Sequence, residues 1–194
     1  MVDKIDQIFK DTKAFSSDRI SIEPVVAADF DIFYDLYTNE EVTYFLSLIH
    51  QDSKETLLNS FNKNLEIMKK GQYLFVWTIF LKEPKIKIGR INIGNIDMRS
   101  KRCSLGFVLL PAYWGKGIMY DASKLVIQYM FNDIEINKIC ASCNSENTKS
   151  SKLLEKLGFK LEGVFEKHTY YEKLDEFKDD LHYGLLNSNI RHDK

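Results

Sequence analysis

Leu105-Gly106-Phe107-Val108-Leu109-Leu110-Pro111-Ala112-Tyr113-Trp114-Gly115-Lys116-Gly117-Ile118-Met119 decides how this chain is read. Its first half is apolar, as a buried strand is, and Pro111 stops it; two glycines then make a turn from which a helical pattern starts. Ile118, Ala122, Leu125, Val126, Tyr129 and Met130 recur at helical spacing and form one face that must lie on a sheet. The first N–H groups of such a helix lack internal partners and carry the positive end of its dipole, so they can hold an anion. Gly115 and Gly117 keep side chains away from those amides and accept backbone angles that other residues resist, while Lys116 adds charge nearby. A pyrophosphate suits the place. The spacing is neither G-x-x-x-x-G-K-[ST] nor G-x-G-x-x-G, because position 120 is Tyr120, and the turn by itself also fits a plain strand-to-helix connection.

Outward from this segment the pattern is that of one α/β domain. Upstream, residues 73–81, 86–97 and 102–110 read as strands with short polar connections, an antiparallel meander. In the middle strand Ile86 and Ile88 are out of phase with Ile91 and Ile93, which predicts a bulge near Gly89. Before the meander, Ile20 and Ile22 suggest an opening strand ended by Pro24, and Phe30, Phe33, Tyr34 and Tyr37 form a helical stripe that a second stretch from Glu40 to about Leu48 continues. Leu57, Leu58, Phe61, Leu65 and Met68 mark a further helix between a Ser53 cap and a Gly71 stop. Downstream of the glycine turn come a strand at 137–143, a short helix at 148–157 closed by Gly158, and strands at 159–168 and 178–186, with Tyr170 and Tyr171 expected in the last hairpin loop. The predicted order, βαα-βββ-α-β-α-ββ, is a mixed sheet with helices on its faces. Residues 1–18 read as an N-terminal extension with a short helix around Ile5, Ile8 and Phe9, residues 19–187 as the domain, and residues 188–194 as a polar tail.

Composition narrows the function classes. With 194 residues, 44% hydrophobic and 28% charged, the chain can bury a core, and a net charge of −1 gives no global field to draw in nucleic acid. No apolar run approaches the roughly 20 residues of a membrane span, and Met1 to Lys10 lacks the pattern of a secretion signal, so a cytoplasmic protein is expected. The three cysteines, Cys103, Cys140 and Cys143, suit a reducing compartment. Cys140 and Cys143 lie three apart on a strand and point to opposite faces, so they neither chelate one metal nor close a disulfide. His50, His168, His182 and His192 show no local metal-ligand spacing, and no metal is expected.

The turn Trp114-Gly115-Lys116-Gly117-Ile118-Met119 resembles the acetyl-CoA signature of the GNAT superfamily of N-acetyltransferases, Q/R-x-x-G-x-G/A. Asn147-Thr148-Lys149-Ser150, with Leu153 to Gly163 behind it, is similar to the second signature of the ribosomal-protein N-terminal acetyltransferase branch, the RimJ/RimL type. The opening Arg19-Ile20-Ser21-Ile22-Glu23-Pro24 also resembles that branch, with Glu23 where an Arg is usual, and Trp114 and Met119 depart from the general signature. The resemblance implies a seven-stranded, mostly antiparallel sheet flanked by helices. It implies acetyl-CoA as cosubstrate, its pantetheine beside Phe107, Val108 and Leu109 and hydrogen-bonded by Asn147, and its pyrophosphate on the amides of Gly115, Lys116, Gly117 and Ile118, with Trp114, Met119 and Ser150 also among the cofactor-binding residues. Acetyl then passes by direct attack to a primary amine, either a protein N-terminus or a small amine, in a monomer or a homodimer.

The proton donor for the departing thiolate is less plain. The Tyr that many relatives use is Leu154 here, and Ser104 stands where a Glu often serves as base. Ser150 matches a Ser of the resembling branch and either stabilises the thiolate, relays a proton or caps its helix. Glu40, Glu41 and Asp97 are the remaining acids near these elements, and none is singled out as base. A catalytically silent acyl-CoA-binding domain is the alternative that the missing Tyr and Glu motivate.

Overall fold

The meander forms the centre of the computed structural model, which describes residues 12–46, 53–70 and 74–189. Its strands are β3 (Phe75–Leu81), β4 (Ile86–Asp97) and β5 (Arg102–Leu109). β3 is buried almost end to end, as expected of an apolar run covered on both faces. The sheet is completed by β1 (Phe15–Ser16), β2 (Ile20–Pro24), β6 (Lys138–Asn144), β7 (Lys160–Tyr171) and β8 (Glu176–Leu186), in the order β1-β2-β3-β4-β5-β6-β8-β7. Only β5 and β6 are parallel; every other neighbouring pair is antiparallel.

Eight strands, rather than seven, result because β1 lies in the stretch read as an extension and pairs Phe15 with Ile22. Phe15 packs on Trp77 and Tyr129, and the Trp77 indole N–H donates to the Lys13 carbonyl at 2.7 Å. Two residues are too few to show a period of two, so periodicity gives no sign of this strand. The helix expected around Ile5 to Phe9 lies outside the described residues, as does the Gly71 stop.

Helices α1 (Phe30–Thr38), α2 (Glu40–Thr43) and α3 (Lys54–Lys69) cover one face of β3 to β5; α4 (Ile118–Asn132) lies on the other face, and α5 (Thr148–Lys156) packs beside it on β6 and β8. Side-chain alternation sorts the two layers. On β4, Ile91 and Ile93 join the main core with Ile118, Ala122, Val126 and Met130 of α4, whereas Arg90 lies under the rings of Phe33 and Tyr37 of α1. The second helix is one turn long, ending at Thr43 where the reading carried it to Leu48. Asn39 caps α2 by accepting from the Val42 N–H, and Ser53 caps α3 by accepting from the Thr56 N–H at 3.1 Å.

The bulge falls beside Gly89: Ile79 faces Gly89 and Phe80 faces Lys87, which leaves Ile88 as the extra residue. The last hairpin differs from its reading. Tyr170 and Tyr171 are strand residues paired with Phe177 and Glu176, and the turn is the three residues Glu172–Leu174 closed by Asp175 in the left-handed conformation. The strand continues past His168 because a bulge between Phe165 and Thr169 restores the pairing, a device that a run of polar residues does not announce. Among the described residues no helix is long and apolar enough to cross a membrane.

Candidate active site

The two parallel strands part. β5 pairs with β6 only at Arg102, Cys103 and Ser104, opposite Lys138, Ile139 and Cys140, although β5 runs on to Leu109 and β6 to Asn144. β6 stays on β8 along its whole length, so the opening lies inside the sheet rather than at its rim. The Leu110 N–H donates back to Ile88 of β4, and backbone alternation therefore turns the amides and carbonyls of Leu105 and Phe107 towards the gap. A ligand with amides of its own can pair with them as a strand would. Side chains of Phe107, Val108 and Leu109 go into the packing on alternate faces, with Leu109 in the main core and Val108 against α1 and α2.

At the top of the gap the glycine turn is fixed from three directions. The Trp114 indole N–H donates to the Leu109 carbonyl at 2.7 Å, and the Lys149 ammonium sits 4.3 Å from the centre of its ring. Gly115 and Gly117 have φ of 71° and 74°, the left-handed region that favours glycine. Arg19 holds the far side, one guanidinium nitrogen donating to the Lys116 carbonyl at 2.9 Å and the other to the Asp121 carboxylate at 2.6 Å. Gly117 ends the turn as the N-cap of α4 and provides no side-chain cap, so the N–H groups of Ile118 and Met119 are left for an outside acceptor. A Cβ at Gly115 would have no atom of the protein within 4 Å, which shows how open this side of the turn is.

The second motif flanks the gap from β6 and α5. Asn147 is the N-cap of α5; its Oδ1 accepts from the Ser150 N–H at 3.1 Å, which leaves its amide NH2 as a donor. The capping role considered for Ser150 is thus held by Asn147. The Ser150 hydroxyl lies near the Cys143 thiol. Burial pushes the Cys143 thiol up, and the nearby Ser150 hydroxyl acts the other way. Tyr183 of β8 brings its hydroxyl to 3.3 Å from Glu155 of α5, and burial raises its pKa together with the Glu155 charge.

Leu154 is 1% exposed in the main core, so nothing at that position donates a proton. Ser104 stands at the last β5–β6 pair, at the closed end of the gap. Asp97 is used in the β4–β5 turn, where it accepts from the Ser100 N–H at 3.0 Å; that bond holds its carboxyl below the usual range. Glu40 and Glu41 occupy the first turn of α2, where acidic side chains complement the helix dipole.

All three cysteines are free, and Cys103 sits in the core with its thiol pushed up to about 12 by burial. At pH 8 its thiolate is roughly one part in ten thousand. Iodoacetamide at pH 8 is therefore expected to leave Cys103 unmodified in the folded chain and to alkylate it after denaturation, as read by peptide mass analysis. Rapid native labelling would mean that Cys103 is not enclosed as described.

The four histidines give no metal spacing in the sequence, but the β7–β8 pairing brings two of them together: His168 and His182 have ring centres 5.7 Å apart.

Comparison with known proteins agrees with this geometry. Residues 19–160 match the family described as "Acetyltransferase (GNAT) domain". The chain is 24% identical to the uncharacterized N-acetyltransferase YoaA of Bacillus subtilis (strain 168), over 79% of this chain and 86% of the relative. Its fold is shared with the ribosomal-protein-S5-alanine acetyltransferase from Vibrio fischeri, with a TM-score of 0.80, 21% identity, and 91% and 98% of the two chains covered. Spermidine N-acetyltransferase from Vibrio cholerae, in complex with CoA and spermine, has a TM-score of 0.79 at 18% identity, with 89% and 98% covered. The chain thus belongs to the GNAT acetyltransferase family and is an acetyl-CoA-dependent N-acetyltransferase.

Proposed function

We propose that this acetyltransferase seats acetyl-CoA in the gap between β5 and β6 and passes the acetyl group directly to a primary amine within a ternary complex. The observation that carries the reading is the parting of two parallel strands below a left-handed glycine turn and an uncapped helix start. Its pyrophosphate would lie on the amides of Gly117, Ile118 and Met119, with Lys116 beside it; Trp114 and Gly115 shape the turn. Its pantetheine amides would pair with the free backbone groups of Leu105 and Phe107, and the Asn147 amide would donate to the same arm.

The amine attacks the thioester carbonyl, the C–S bond breaks, and the CoA thiolate takes up a proton while the amine loses one. Ser150, near the start of α5 and close to the Cys143 thiol, would donate a hydrogen bond to that thiolate. Changing Ser150 to Ala is expected to lower kcat by about a hundredfold to a thousandfold, the range in which one donor to a developing anion acts. The KM for acetyl-CoA and the melting temperature should hardly move, because Asn147 caps α5. An unchanged kcat would remove Ser150 from the chemistry.

The acceptor is a protein N-terminus or a small amine; the structural neighbours are named for an alanine of a ribosomal protein and for spermidine. Release of free CoA thiol from acetyl-CoA, with N-terminal peptides, polyamines and aminoglycosides offered in turn, tests the reading. Turnover with one class identifies the acceptor. Tight acetyl-CoA binding without turnover on any of them would make the chain a silent binding domain. The protein is proposed to work in the cytoplasm, as a monomer or a homodimer.

A further inference from the structure

We propose that His168, Asp180 and His182, on the face of the β7–β8 hairpin away from α4 and α5, form a zinc-binding site. One ligand atom from each of the three lies within 4.8 Å of the others. Two imidazole nitrogens and a carboxylate oxygen are the donor set of three-ligand zinc sites, whose fourth position is left to water. Donors around a bound zinc stand about 3.5 Å apart, as Zn–N and Zn–O lengths near 2 Å require. The exposed His168 can supply most of that closure by turning about its own side-chain bonds.

Three features of the hairpin converge on this cluster. The first is the bulge, where β7 inserts extra residues between Phe165, paired with Asp180, and Thr169, paired with Lys178. Lys167 takes a φ of 46° there, and its N–H donates to the Asp179 carboxylate at 2.8 Å. Regular alternation would turn His168 away from the face that carries Phe165; the bulge brings it round to His182 instead. The second is Asp180, 7% exposed, whose oxygens accept from the hydroxyls of Tyr171 at 2.9 Å and Thr169 at 2.5 Å. Among the described residues its recorded partners are these neutral donors and no cation, so a buried negative charge is oriented but not balanced. Hydroxyls that orient a carboxylate in this way are the outer partners a metal ligand needs.

The third feature is His182. Its Nε2 is buried and has no hydrogen-bond partner among the described residues, a cost in either tautomer that a metal ion would remove. The ring of Phe165 stacks on His182 at 3.9 Å and meets His168 edge-on at 5.0 Å, so both imidazoles are held by one aromatic wall. The cations nearby are already paired, Lys178 with Glu146 at 2.8 Å and Glu176 at 2.7 Å, and Lys167 with Glu176 at 3.8 Å.

Competition against a chromophoric chelator tests this on the full chain after EDTA treatment. A single equivalent of Zn2+ is expected to bind, with Mg2+ unable to replace it because imidazole donors do not suit a hard ion. His168→Ala keeps the fold, as circular dichroism should show, since that side chain is exposed; it should weaken zinc binding by at least about a hundredfold. Co2+ should give visible d–d bands without a thiolate charge-transfer band. Zinc uptake no stronger than that of Mg2+, full retention in His168→Ala, or a thiolate band from Cys140 or Cys143 would each overturn the assignment.

Discussion

Replacing Gly117 by Val is expected to remove acetyl-CoA binding while leaving a folded protein. The residue holds a φ of 74° as the first cap of α4, and a Cβ there would stand 3.4 Å from the Arg19 guanidinium. A β-branched side chain is disfavoured in that conformation by about 1–2 kcal/mol, so the turn shifts and the N–H groups of α4 lose their aim. Two hydrogen bonds to a charged oxygen are worth about 3 kcal/mol or more together, which corresponds to a rise in Kd of at least about a hundredfold. Calorimetric titration reads that loss, and a melting curve separates it from unfolding. Binding that survives the substitution would place the pyrophosphate elsewhere.

Trp77 carries the second large effect. It is fully buried, stacks on Phe75 with ring centres 5.4 Å apart, meets Tyr129 of α4 edge-on, and reaches Lys13 through its indole N–H. Trp77→Ala leaves a hole on the central strand and frees the β1 segment at the same time. The expected cost is about 3–5 kcal/mol, or roughly 10 °C or more in melting temperature for a chain of this size. A loss below about 1 kcal/mol would mean that the core closes over the hole and that β1 contributes little.

What could be read from residues alone follows from how far each interaction reaches. The glycine turn, the Ser53 cap, the bulge at Gly89 and the face of α4 are set by neighbours within a few positions, and each is where periodicity and backbone chemistry put it. The parting of β5 from β6 leaves no trace in composition or periodicity. Contacts between distant residues stayed hidden. Arg19 steadies the turn from 97 positions away, and nothing in its local sequence marks it for that role. Helix capping at α5 had two candidates three residues apart, Asn147 and Ser150, and only geometry separates them. His168 and His182 are separated by a hairpin whose register depends on an irregular bulge, so a search for local ligand spacing passes over them.

Because β6 stays on β8 and leaves β5 after three residue pairs, the protein carries two unfinished sheet edges in its interior. Exposed edges elsewhere invite a second chain; here, they face each other across the opening inside the sheet. Folding and ligand supply are therefore thermodynamically linked. An occupant present at a hundred times its Kd adds about 2.7 kcal/mol to the stability of the native state. Starved of such an occupant, the two halves of the sheet are joined at that seam by the short backbone ladder at Arg102 to Ser104 and by the core they share with α4, and breathing of the native state should begin where the ladder ends.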